Sequence, residues 1–201
     1  MTINVFPDGL GETMNLADYH AAFDKDFFRS GPAGFWKLEA RQTFLEPRSA
    51  SWRTFNAGGL GEAIRMHEDR RAGLQRRHAR MLQQGSTNQR VRLVVTPLAR
   101  YLLWELPLLR MRDDIGMRTH VINLVDRPDL GGPADWPEVV VCGEVAVYEV
   151  LYDASGLHIG GTRYTDRDVI AHWRDRIADL IQLGEPIHGF YEREVAPLLP
   201  A

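Results

Sequence analysis

Between Arg90 and Leu183 the chain alternates short β-branched apolar runs with segments of helical periodicity, and that alternation confines it to folds in which helices pack on a sheet. Val91, Leu93, Val94 and Val95 make the first run, Val121 to Val125 the second, and Val139 to Val141 the third. Val145 to Tyr152 and Leu157 to Arg163 flank the turn Asp153-Ala154-Ser155-Gly156 and read as a hairpin. Thr96-Pro97 predicts the start of a helix from Leu98 to about Leu109, kinked or ended near Leu106 by Pro107. A second helix has the clearest apolar stripe in the chain: Val169, Ile170, Trp173, Ile177, Leu180 and Ile181. Thr165, with Asp168 three residues on, reads as its cap, and Gly184 and Pro186 end it. The expected fold is α/β, with α+β the alternative: a mixed sheet of about five strands flanked by helices, with a helical N-terminal region.

The N-terminal half is less regular. Residues 1–15 carry Pro7, Gly9 and Gly11 and predict a loose leader. Leu16 to Arg29 has helical spacing and stops at Ser30-Gly31-Pro32; Phe35 to Phe44 alternates as a strand does. After a turn-rich segment, one helix is expected from Glu62 to Gln84, with His67 and His78 on its inner face. On a straight helix they stand roughly 16 Å apart, too far for one metal ion, and no metal site is expected. These readings divide the chain into a leader, a helical region over 16–89 packed on or beside the core, a core over 90–188, and a tail over 189–201.

Composition narrows the function classes. With 201 residues and 44% apolar content the chain can bury a core. Cys142 is its single cysteine, which excludes a disulfide framework within the chain and reads as a buried structural thiol. The sequence opens Met-Thr-Ile-Asn-Val-Phe-Pro-Asp, unlike a secretory signal, and no apolar run approaches the roughly 20 residues that span a bilayer, so a cytoplasmic protein without membrane association is expected. The formal charge is −3, and Lys25 and Lys37 are the only lysines. From Glu62 to Arg92 eight arginines face three acidic residues. Arg70, Arg71, Arg76, Arg77 and Arg80 present either a solvated helix face or a docking surface for an acidic protein such as a carrier protein, nucleic acid being less favoured. An oligomer or heteromer fits either reading.

The best small-site candidate is the connection from Arg110 to His120. Asp113, Asp114 and His120 are candidate catalytic proton acceptors, while Arg110, Arg112 and Arg118 suit a sulfate, phosphate or carboxylate. A salt-bridged surface loop is the alternative. Gly58-Gly59-Leu60-Gly61 reads as an anion cradle or a plain turn, and Gly160-Gly161 as a bulge or a close approach of backbone. Asp166, Asp168 and His172 read as a cap and helix surface. No cofactor motif is present, and none is expected.

Arg90-Val91-Arg92-Leu93-Val94-Val95-Thr96-Pro97-Leu98, Tyr101, Trp104-Glu105-Leu106, the hairpin, the Trp173 helix and Phe35-Trp36-Lys37-Leu38-Glu39 together resemble a family known mainly from actinobacterial genomes and described only as a domain of unknown function. The resemblance covers residues 18 to 188 and implies a genomic context near regulators or natural-product clusters. The order of strands and helices also resembles half of a phospholipase D-like fold. Its catalytic His-x-Lys-x4-Asp is absent, because Phe23 and Phe35 stand two residues before the two lysines. Two functions follow as expectations. One is a non-catalytic binding or regulatory protein engaging an acidic protein or a small anionic ligand. The other is a natural-product tailoring enzyme acting on a carrier-tethered amino acid, for example by amine cyclisation with loss of sulfate, as in aziridine formation.

Overall fold

The structure is a computed structural model that describes residues 6–199. Its elements are Glu12–Asn15 (β1), Leu16–Phe27 (α1), Phe35–Glu39 (β2), Ala50–Asn56 (α2), Leu60–Glu68 (α3), Arg71–Gln83 (α4), Asn88–Val94 (β3) and Arg100–Asp114 (α5). Arg118–Asn123 (β4), Val139–Cys142 (β5), Ala146–Tyr152 (β6), His158–Tyr164 (β7), Arg167–Leu183 (α6), Glu185–Pro186 (β8) and Ile187–Phe190 (α7) follow. The strands form one eight-stranded sheet of order β1-β7-β6-β5-β2-β3-β4-β8. Strands β2, β3 and β4 run parallel, and every other pairing is antiparallel.

The α/β expectation holds, but about five strands was too few. Strand β2, expected beside a helical region, lies in the middle of the sheet between β5 and β3, and the expected boundary at residue 89 falls inside β3. The short β1 and β8 close the two edges, where pairing partners and not local pattern create them.

Strand alternation divides the core. On one face Leu38, Val91, Leu93, Ile122, Val139, Val141 and Val147 meet the α6 stripe of Val169, Ile170, Trp173, Ile177 and Leu180. Asp166, not Thr165, caps that helix, its side chain accepting from the backbone N–H of Asp168 and Val169 at 3.0 and 3.1 Å. On the other face α1 covers Phe35, Val140, Cys142 and Tyr148 with Tyr19 and Phe27. Helix α5 covers Val94 and Val121 there, and is itself covered by Phe55, Ala63, Phe190 and Val195. Packed on opposite sides, α5 is buried over most of its length. It begins at Arg100, after a cis Thr96–Pro97 bond, and runs through Pro107 to Asp114. Of the kink or end expected near Leu106, the end does not occur, because packing on both sides outweighs one missing N–H.

The arginine-rich segment is two helices, α3 and α4, with Asp69 and Arg70 between them. His67 and His78 are buried on separate helices, and His67 Nε2 lies 2.9 Å from the Trp104 carbonyl. Residues 6–15 are not loose: Phe6 stacks on Tyr164 and Trp173 at 4.7 Å each, and β1 pairs with β7. In the tail, Tyr191 and Val195 are buried in the α5 cluster.

Gly160-Gly161 marks the close approach that the sequence suggested. Gly160 has φ +149°, and a Cβ there would overlap the Met14 carbonyl oxygen; one on Gly161 would meet the Tyr19 ring at 2.6 Å. Gly160→Ala is therefore expected to destabilise the fold by about 2 kcal/mol. Chemical denaturation measures the loss, and amide exchange should locate it first in β1.

Candidate functional site

The sheet face under α5 carries charges where the α6 face carries aliphatic side chains. Leu38, Val91 and Leu93 point to α6, so Lys37, Glu39, Arg90 and Arg92 point the other way. Parallel register sets Lys37 beside Arg90 and Glu39 beside Arg92. Helix α5 faces them with Tyr101, Glu105 and Arg112, whose spacings of four and seven residues place them on one stripe.

Most of this layer is internally satisfied. Glu39 pairs with Lys37 at 2.5 Å and with Arg90. Burial would raise its carboxyl, but Arg90, Lys37 and Arg92 outweigh that and hold it well below the usual range. Arg92 is fully buried and donates from Nε to Glu105 at 2.8 Å, from Nη1 to the carbonyls of Glu39 and Leu93 at 3.2 and 3.0 Å, and from Nη2 to the Arg41 carbonyl at 2.6 Å. Burial opposes its charge, yet Glu105, Glu39 and Glu138 keep it protonated to a higher pH than usual. The Tyr101 hydroxyl lies 3.4 Å from both Glu105 and Glu46, and burial and those carboxylates raise its pKa.

Arg112 is the exception. Two turns along α5 from Glu105, it makes no ion pair or side-chain hydrogen bond among the described residues, and its Nε is buried without a partner. Burial first, then Arg90, push its pKa down to about 10, with Arg70 adding to the repulsion and Glu39 opposing it. Arg70 also lines a cleft of about 560 Å³ with Glu46, Arg48, Ser51, Met66 and Asp69. Glu46 thus belongs both to the cleft and to the charged layer. Burial, then Glu105, raise its carboxyl.

Glu138, just before β5, supports the layer from below. Its Oε1 accepts from the backbone N–H of Ala40 and Arg41 at 2.8 and 2.7 Å, while Oε2 is buried without a partner. Burial and Glu39 push its pKa up to about 7, against the pull of Arg92.

A family model described as a domain of unknown function (DUF6879) matches residues 21–192. The chain belongs to this family. No curated protein and no solved structure matches it. The DUF6879 match contains every member of the charged layer, from Lys37 to Glu138.

The segment from Arg110 to His120 is not one loop. Helix α5 continues to Asp114, and only residues 115–117 separate it from β4. Asp113 is buried and committed: the Thr119 N–H donates to Oδ1 at 2.7 Å, Arg118 to Oδ2 at 3.2 Å, and His188 Nε2 lies 3.3 Å from Oδ2. Asp113, Arg118 and His120 line a second cleft of about 500 Å³ with Trp36, Gln89 and Gln182. Burial lowers the His120 pKa, and Asp113 partly offsets it. Asp114 faces outward to Arg71 at 3.6 Å and His188 at 3.4 Å, and Arg110 reaches Glu192 at 3.3 Å. Arg112 alone joins the charged layer.

Of the arginines expected to dock a partner, three are occupied. Arg71 pairs with Glu68 at 2.6 Å, Arg77 stacks 4.1 Å from the Phe27 ring, and Arg80 stacks 3.9 Å from Phe28. Arg70 and Arg76 are exposed and make no ion pair among the described residues. Gly58-Gly59 is the turn between α2 and α3, with no strand before it. Cys142 is buried, which pushes its thiol up. Among the described residues no group of three or more His, Cys, Asp or Glu is placed to hold a metal ion, and no helix is long and apolar enough to cross a membrane.

Sequence reasoning missed Lys37, Glu39, Glu46, Arg90, Arg92, Glu105 and Glu138. The signal was present in Lys37-x-Glu39 and Arg90-x-Arg92, charges at alternate positions of apolar strands.

Glu138 gives a pH test. Below the ordinary carboxylate value of 4.5 both folded and unfolded chains hold its proton; between there and about 7 only the folded chain does. Its contribution therefore declines as pH rises through that window, by up to about 3 kcal/mol. Glu138→Gln keeps an acceptor for Ala40 and Arg41, so urea denaturation should show it more stable than the parent at pH 8, with the gain absent at pH 4.

Proposed function

We propose that this protein is a non-catalytic binding or regulatory protein that holds a small anionic ligand at Arg112, the half-buried arginine of the charged layer. The observation that carries this reading is the contrast between two arginines of one layer: Arg92 is fully buried with a partner in the chain for each nitrogen, whereas Arg112 is half-buried and makes no side-chain hydrogen bond or ion pair among the described residues, its Nε being buried without a partner. A partly desolvated guanidinium with an unpartnered N–H costs stability unless something anionic meets it. A carboxylate, sulfate or phosphate that reaches Arg112 supplies that charge and accepts from the guanidinium fork. Exposed Arg70 and Arg76 support an acidic protein as the bearer of the anion only weakly, since Arg71, Arg77 and Arg80 already have partners in the chain.

The tailoring-enzyme reading asks Asp113 or Asp114 to take a proton. Asp113 is committed to Thr119, Arg118 and His188, so the geometry favours binding over base catalysis there. A phospholipase D-like relation draws support from the strand and helix order alone, and without His-x-Lys-x4-Asp it brings no phosphodiester chemistry.

Calorimetric titration with phosphate, sulfate and butyrate tests the reading. At least one of these anions should bind, and Arg112→Met should weaken it by about tenfold to a hundredfold, the worth of a charge-assisted hydrogen bond. The same substitution should leave thermal stability unchanged or higher, because it removes a partly desolvated charge that has no ion-pair partner among the described residues. Anion binding that survives Arg112→Met, or a variant that loses stability, would overturn the assignment.

A further inference from the structure

Of the five tryptophans, Trp52, Trp104, Trp136 and Trp173 are buried, and Trp36 alone is half-buried. Its indole is held in orientation by its Nε1–H, which donates to the Ala33 carbonyl at 2.7 Å. No aromatic ring or arginine stacks on it among the described residues. A large ring that is fixed in place and open on one side is a stacking platform. Trp36 lines the cleft of about 500 Å³ that also holds His120. Strand alternation sets Trp36, Gln89 and His120 on the α6 face, each two residues before a core residue of that face: Leu38, Val91 and Ile122. Parallel register puts Gln89 directly beside Trp36. The facing wall is the last turns of α6, where Ala178, Ile181 and Gln182 fall on one side of the helix at three- and four-residue steps. The cleft thus runs between an indole on the sheet and an aliphatic side chain on the helix.

The polar groups of the cleft set the charge and the edge of what fits it. Asp113 and Arg118 are paired with each other at 3.2 Å, and Asp113 also accepts from the Thr119 N–H at 2.7 Å. Neither charge is free, which favours a neutral ligand. Half-buried Gln89, rim-exposed Gln182 and His120 make no side-chain hydrogen bond among the described residues. Burial holds the His120 imidazole below its usual pKa, so at neutral pH it offers, like each glutamine amide, both a donor and an acceptor. From this arrangement we propose that the cleft binds the base of an uncharged nucleoside, its flat face on Trp36 and its edge against Gln89 and His120, with Gln182 closing the rim. A glutamine amide matches the adjacent donor and acceptor on a base edge, and the indole matches its face. A sugar lacks the flat ring, and a plain aromatic leaves the amides unmatched. The volume falls in the range of small-molecule sites. This site is on the opposite face of the sheet from α5 and Arg112, and it stands without the anion reading.

Nitrogen-15 NMR of the indole N–H groups of the full chain reads the site, and Trp36→Phe assigns the Trp36 signal by removing it. Adenosine, guanosine, cytidine and uridine are the probes, with ribose as the control. At least one nucleoside should shift the Trp36 signal to saturation below about 1 mM, and ribose should leave it in place. By calorimetry, Trp36→Ala and Gln89→Leu should each weaken that nucleoside about tenfold, whereas Trp36→Phe, which keeps a stacking ring, should retain most of the affinity. Arg112→Met should leave it unchanged, which separates this site from the anion site. The monophosphate should bind no tighter than its nucleoside, because Arg118 is committed to Asp113. Circular dichroism shows whether Trp36→Ala is folded; if it is not, Gln89→Leu decides. A Trp36 signal unmoved by all four nucleosides, affinity that survives Gln89→Leu or a folded Trp36→Ala, or a monophosphate bound tenfold tighter than its nucleoside overturns the proposal.

Discussion

The buried Arg92–Glu105 pair ties the sheet to α5, and the arrangement around it depends on that tie. Arg92 is fully buried and its guanidinium reaches Glu105, the carbonyls of Glu39 and Leu93, and the carbonyl of Arg41. It thereby fastens the ends of β2 and β3 to the middle of α5. Replacing such a pair by apolar residues often costs nothing, whereas breaking it strands one charge in the interior. The fold has thus accepted a polar seam at its centre, and the seam fixes where the remaining charges stand. Glu39 draws Lys37 and Arg90 together on the sheet, and Glu105 and Tyr101 position Glu46 at the mouth of the cleft.

The two faces of the sheet show how much of this was readable from sequence. The α6 face was legible because its pattern is local: the Trp173 stripe has helical period, and the partner strands are apolar and β-branched. The hairpin and the Gly160-Gly161 approach were legible for the same reason, since turn chemistry and missing side chains act where they occur. The α5 face was not. Lys37 and Glu39 alternate with Trp36 and Leu38, a pattern that suits a strand with one face in water. Only tertiary structure reveals that both faces are covered, since β2 lies mid-sheet through pairing with residues 88–92 and 139–142.

Arg112 was singled out in the sequence as an anion binder, on the ground that it sat in a charged connection. It stands instead on α5, in the stripe that begins with Tyr101 and Glu105. Its neighbours Asp113 and His120, expected to work with it, line a cleft that Arg112 does not. Proximity in sequence grouped residues that a helix end separates by rotation. The arginine-rich segment illustrates the converse. Arg71, Arg77 and Arg80 looked free as a run of charge and are occupied by Glu68, Phe27 and Phe28.

Two arginines of a single layer differ: Arg92 is fully buried with every nitrogen partnered, and Arg112 is half-buried with an unpartnered Nε, the site proposed for an anion. Nitrogen-15 NMR of the arginine Nε–Hε groups, recorded while an anionic ligand is added, measures that contrast directly. The Arg112 resonance is expected to shift and its hydrogen to become protected from exchange, while the Arg92 resonance stays in place. Equal movement of both signals, or a shift confined to the surface arginines, would contradict the account.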